Sequence, residues 1–167
     1  KFILGNITQK GRSRGELGFI KPLMRRTFLE AHDLRYREHM RLGEDYELYA
    51  RALAHGARLL LAPPQGYVAV TRSNSLSAMH SATDLLHLRD CDETLMTIPY
   101  LSEEDRAALR QHYLSIDSRL QWRLLINAVK QRNAVAALRT FIRPYPVPLN
   151  NMQLLAEQAV IRAFRRK

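Results

Sequence analysis

The clearest periodicity in the chain lies between Glu44 and Gly56. Tyr46, Tyr49, Ala50 and Leu53 recur at three- and four-residue spacing, which puts them on one face of a helix. Gly43 interrupts what precedes it. Gly56 suits the position just past a helix C-terminus, where a left-handed backbone is wanted. The pattern predicts a helix of about three turns over 44–55. Around it the pattern is more varied. Phe2-Ile3-Leu4 reads as a strand stub, and residues 5–17, rich in glycine and polar groups, as loop. Pro22 suits a first helical position and opens a predicted helix over 22–31 that His32-Asp33 ends. Residues 34–40 read as irregular. Residues 58–62 read as a buried strand, Pro63-Pro64-Gln65-Gly66 as a turn, and 67–71 as a second strand.

The pattern shifts at about residue 80, and the remainder reads as helical. Thr83 is placed to cap a helix to about residue 97, closed by Pro99. Ser102-Glu103-Glu104-Asp105 resembles a capping box with Asp in place of Glu or Gln, opening a helix to residue 116. A separate helix is predicted over 119–130, and the two in succession suggest a helical hairpin. Asn133 caps a further helix, stopped by Pro144, Pro146 and Pro148, and Asn150 caps the last. Strands alternating with helices before residue 80 imply an α/β arrangement. The predicted organisation is therefore an α/β unit over 1–80 and a mostly α-helical extension over 81–167.

Composition narrows this only slightly. At 167 residues the chain suffices for one domain or a little more, and its 46% apolar content is that of an ordinary globular protein. The formal charge of +10 implies an anionic partner: a nucleotide diphosphate, a nucleic acid or an acidic lipid surface. Cys91 is the single cysteine, so an intrachain disulfide is excluded and a reducing compartment fits. The chain opens at Lys1 rather than at a methionine, which reads as a piece cut from something longer.

Against that basic background, Glu44, Asp45 and Glu47 crowd the first turn of the 44–55 helix. Acids are common there because free N–H groups and the helix dipole favour negative charge. A carboxylate so held also stays ionised at neutral pH and can accept a proton from a positioned hydroxyl. Asp45 is the candidate base. Glu44 would either hold an acceptor hydroxyl or only cap the helix. Arg72, Ser75 and Ser77 lie on a loop after the second strand; they suit phosphate oxygens or form a solvated loop. Asp90-Cys91-Asp92 imitates a metal-binding Asp-x-Asp pair but falls on a predicted helix. Residues two apart there point about 200° apart, so no metal ligand is assigned. The six histidines lack zinc-ligand spacing. Residues 119–156 hold six basic residues and no acid, either solvated helix faces or a surface drawn to an anionic membrane leaflet.

Taken in order, Gly18-Phe19-Ile20-Lys21-Pro22-Leu23-Met24-Arg25-Arg26, Leu42-Gly43-Glu44-Asp45-Tyr46-Glu47-Leu48, Gly56-Ala57-Arg58 and Arg72-Ser73-Asn74-Ser75-Leu76-Ser77 resemble the second half of a family-2 glycosyltransferase domain. The similarity is to bacterial exopolysaccharide-assembly enzymes of the succinoglycan type and covers about residues 15–77. It implies the acceptor-side half of a GT-A nucleotide-diphospho-sugar transferase fold. It also implies an inverting transfer from a nucleotide-sugar donor to a saccharide or lipid-linked acceptor. Asp45 would be the base, Glu44 an acceptor-side residue, and Arg72, Ser75 and Ser77 neighbours of the donor phosphates. A divalent cation (Mg or Mn) would belong to the parent enzyme, with none expected on this stretch, which alone should be inactive. The expected setting is the cytoplasm at the inner face of the membrane, with peripheral membrane contact and a homodimer both allowed for. The rival expectation is a basic helical module binding nucleic acid or a protein partner, although no helix-turn-helix, zinc-finger or RNA-stacking motif is readable.

Overall fold

The computed structural model describes residues 1–7, 17, 20–63 and 80–164. Among them the chain forms seven helices: α1 (Phe2–Gly5), α2 (Arg26–Ala31), α3 (Glu44–Ala54), α4 (Ala82–Met96), α5 (Glu103–Lys130), α6 (Ala134–Arg139) and α7 (Val147–Phe164). The centre is α3 against the α4–α5 pair. Arg106 donates to the Met96 carbonyl, His112 meets Asp92, and Arg89 meets Asp117. Partner numbers rise on one helix as they fall on the other, so α4 and α5 run antiparallel, as a six-residue link between them allows. Tyr46, Leu48 and Tyr49 from α3, Leu85, Leu88 and Leu95 from α4, and Leu109, Ile116 and Leu120 from α5 share one core with Phe2, Leu34 and Met40. That core draws on both sides of residue 80.

The expectation of an α/β fold is overturned: the described residues contain helices and no strand. Phe2-Ile3-Leu4 is the first turn of α1 rather than a strand stub; Phe2 is buried with its ring stacked 6.0 Å from that of Tyr46. Residues 58–62 are neither a strand nor buried, and Leu60 is 90% exposed. A strand's backbone groups need a neighbouring strand, and no described segment supplies one. The second predicted strand, 67–71, lies outside the described residues.

Helix boundaries follow the caps. α3 enters through Gly43 in the left-handed region (φ 73°) and leaves through Gly56 (φ 89°). There, Gly56 N–H bonds the Leu53 carbonyl and Ala57 N–H that of Ala52, a Schellman closure. The predicted helix from Pro22 instead starts at Arg26, with Arg25 extended before it. α4 is capped by Ser81, not Thr83, in a reciprocal box with Asp84. Ser102 caps α5 as expected, accepting from Asp105 N–H at 3.1 Å. α5 then runs on without a break through residues 117–118 to Lys130, so the predicted hairpin is absent. Asp117, a poor helix former, is fully buried there and bonded to Arg89, Arg143 and Gln121, a tertiary gain that outweighs its propensity. Asn133 caps α6. α7 starts at Val147 rather than at Asn150, with Pro148 in its first turn, where a missing N–H costs nothing.

Candidate functional site

Gly43 sets the geometry of the candidate base. Its left-handed backbone turns the chain straight into α3, and a Cβ there would lie 2.6 Å from Leu88 Cδ1. The first turn therefore presents Glu44, Asp45 and Glu47 in fixed directions. Glu47 points inward and is buried, its carboxylate taken by Arg51 Nε at 2.6 Å and Nη2 at 2.7 Å. Arg51 Nη2 also donates to the Arg35 carbonyl at 2.6 Å, and Arg37 Nε reaches Glu47 at 3.4 Å. This cluster is structural: it ties residues 35–37 to the side of α3.

That tie brings Tyr36 to Asp45. Tyr36 donates its hydroxyl to Asp45 Oδ1 at 2.7 Å. The Tyr49 hydroxyl, one turn on, lies 3.3 Å from the same oxygen and 3.3 Å from the Ile20 carbonyl, its single proton shared between them. The hydrogen bond to Asp45, aided by burial, pushes the Tyr36 phenol up. Burial, then the Asp45 charge, pushes Tyr49 up further. Both phenols therefore remain protonated donors at any physiological pH. Asp45 is half-buried, and its second oxygen makes no hydrogen bond to another described residue.

Tyr36 and Tyr49 also line a cleft of about 330 Å³ with Lys21, Pro22, Leu34 and Arg35, at the lower end of small-ligand pocket sizes (roughly 300–1,000 Å³). The structure thus sets Asp45 in a helical first turn; Asp45 itself does not line this cleft and borders it only through its bonds to Tyr36 and Tyr49. Glu44, half-buried next to it, makes no hydrogen bond to another described residue. Arg72, Ser75 and Ser77 lie outside the described residues. Tyr36 and Tyr49 are the residues sequence reasoning missed as site members. Tyr49 carried a signal, being four residues past Asp45 and so on its face. Tyr36 carried none, because it reaches Asp45 through the Arg51–Arg35 contact.

A second polar cluster fixes α3 from behind. Asp92, wholly buried, accepts from the Tyr46 hydroxyl at 2.8 Å and pairs with His112 Nδ1 at 2.7 Å, while the Tyr46 and His112 rings stack 4.3 Å apart. Burial pushes the Asp92 carboxyl up, against the pull of His112 and Tyr46. Asp90 instead faces Arg89 at 2.8 Å, so the Asp90-Cys91-Asp92 carboxylates diverge. Among the described residues no group of three or more His, Cys, Asp or Glu is arranged to hold an ion.

With this geometry in place, comparison with known proteins gives two relatives. Over 131 residues the chain is 48% identical to the succinoglycan biosynthesis protein ExoU of Rhizobium meliloti (strain 1021), a match covering 78% of this chain and 38% of that protein. Over 129 residues it is 30% identical to the succinoglycan biosynthesis protein ExoO of the same strain, covering 77% of this chain and 37% of that protein. The chain thus spans little more than a third of the length of either. No family model and no solved structure matches it.

Proposed function

We propose that this chain is the acceptor-side portion of a glycosyltransferase of bacterial exopolysaccharide synthesis, with Asp45 as its general base. The observation that carries the reading is the Asp45 carboxylate itself. It is set in the first turn of α3 and oriented through one oxygen by Tyr36 and Tyr49, the two tyrosines that line the neighbouring cleft. The similarity to two succinoglycan biosynthesis proteins supplies the setting.

In the step we propose, an acceptor sugar docks against the tyrosine-lined cleft, and one of its hydroxyls gives its proton to the second oxygen of the half-buried Asp45. The oxygen of that hydroxyl forms the new bond to the anomeric carbon of a nucleotide-activated sugar. The bond from that carbon to the diphosphate breaks on the opposite face, so the configuration inverts. Glu44 holds a second acceptor hydroxyl, and Arg72, Ser75 and Ser77 meet the donor phosphates. The acceptor is a growing saccharide, free or lipid-linked.

The test is Asp45→Asn in the intact protein, with transfer from a nucleotide-sugar to acceptor measured beside circular dichroism. The swap keeps the Tyr36 and Tyr49 bonds possible and removes the base, so the rate should drop by about 10²–10⁴ with folding unchanged. Near-normal transfer by this variant would refute the assignment.

A further inference from the structure

α7 is built unlike the helices around it. Only Val147 and Asn151 are buried, with Pro148, Asn150 and Leu154 partly so, all in its first half. From residue 155 to 164 every side chain is exposed, so this half of the helix projects beyond the bundle. At about 100° per residue, Leu149, Met152, Ala156, Ala159, Val160 and Ala163 fall opposite the Val147–Asn151 face, and no polar residue falls among them. The stripe is roughly 100° wide, which is the width a helix ordinarily buries against a core. Here it faces outward, with Met152 60% and Val160 54% exposed, and Phe164 75% exposed beside it. The preceding turns add exposed Val135, Leu138 and Ile142.

Charge selects the occupant. Residues 129–167 contain eight Lys or Arg and one acid, Glu157; Arg143 is taken by the buried Asp117, and the rest leave the segment clearly basic. A second copy packed symmetrically would set this basic segment against itself. An anionic lipid surface supplies both the apolar layer and the counter-charge. No described helix is long and apolar enough to cross a membrane, so α7 would lie along the surface. We infer that the outward face of α7 is a docking surface for an anionic lipid bilayer, its apolar stripe seated among the acyl chains and its attraction supplied by Arg162 and the other basic residues of the 129–167 segment. The inference stands apart from the role given to Asp45.

The test is vesicle co-sedimentation of the full 167-residue chain. Phosphatidylcholine vesicles are compared with vesicles that also contain phosphatidylglycerol. Binding is expected only with the anionic lipid and should weaken as salt rises. Met152→Glu with Val160→Glu should reduce it at least about tenfold, because both charges enter the face meant for the acyl layer. Both sites are exposed, and circular dichroism would verify that the helices persist. Failure to bind anionic vesicles, equal binding to both kinds, or unchanged binding by the double variant would each overturn the inference. A concentration-dependent dimer that the double variant dissociates, without vesicle binding, would assign the face to a second copy instead.

Discussion

Removing the Asp92 carboxylate should unfasten α3 from the helices behind it. Asp92→Ala deletes the acceptor for Tyr46 and His112, which are only 4% and 3% exposed, so neither donor can turn to water. Each bond to a charged acceptor is worth about 1.5–3 kcal/mol, and each stranded donor costs about 1–3 kcal/mol. Against this stands the release of a buried charge, whose cost is visible in the raised Asp92 pKa. The expected net loss is about 3–5 kcal/mol, as when one member of a buried ionic cluster is removed. With a urea slope of about 2 kcal/mol/M, the unfolding midpoint should fall by roughly 2 M. Tyr46→Phe, which leaves Asp92 paired with His112, should cost only about 1–2 kcal/mol. Replacing all three (Tyr46→Phe, Asp92→Leu, His112→Phe) should recover much of the loss, because an apolar substitute strands nothing. An Asp92→Ala protein within about 1 kcal/mol of wild type, or a triple variant no better than the sum of its parts, would refute this account.

Gly43→Ala should destabilise by about 1–3 kcal/mol in urea unfolding, since the left-handed backbone and the 2.6 Å approach to Leu88 both oppose a Cβ. The Ser81 backbone N–H, then its hydroxyl, holds the Asp84 carboxyl below the usual carboxylate range. A depressed folded pKa adds stability above the unfolded value of about 3.9 that disappears as pH falls through the folded value. The stability gap between wild type and Asp84→Asn should therefore be present at neutral pH and close on acidification. Asp117→Asn should cost about 2 kcal/mol, less than a fully buried pair because Arg143 is partly exposed. It should also speed proteolysis around residue 143, because Arg143 is held by two bonds of 3.0 Å to Asp117.

What was legible in the sequence was what the backbone settles within a few residues. Gly43 and Gly56 bracket α3 because the two turns need a left-handed residue. Ser102 and Asn133 cap because a short side-chain oxygen reaches an N–H three residues on. Of the predicted face Tyr46, Tyr49, Ala50 and Leu53, the first three are buried and Leu53 partly so; Glu47, Leu48 and Ala52 are buried as well, so α3 is covered on more sides than its 3.6-residue period shows. The failures needed distant partners. The Asp117-Ser118 step looked like a helix end until Arg89 and Arg143 closed on it. Tyr36 entered the candidate site only because Arg51, sixteen residues later, grips the Arg35 carbonyl.

Leu59-Leu60-Leu61 and α7 carry the same argument one step further. Both are apolar stretches, and the first reads from sequence as a buried strand. In the structure they lie outside, with Leu60 90% and Phe164 75% exposed. Hydrophobicity fixes that a surface favours leaving water, but the identity of its cover is written elsewhere, in whatever complements it. For residues 59–61 no described strand provides that cover, and all three leucines are exposed. For α7 the complement we propose follows from charge: a basic segment beside an apolar stripe meets repulsion from a second copy of itself, whereas an anionic apolar surface would satisfy both. The same physics that misled the strand assignment therefore makes the exposed helix informative, because there the neighbouring residues constrain what the partner must be.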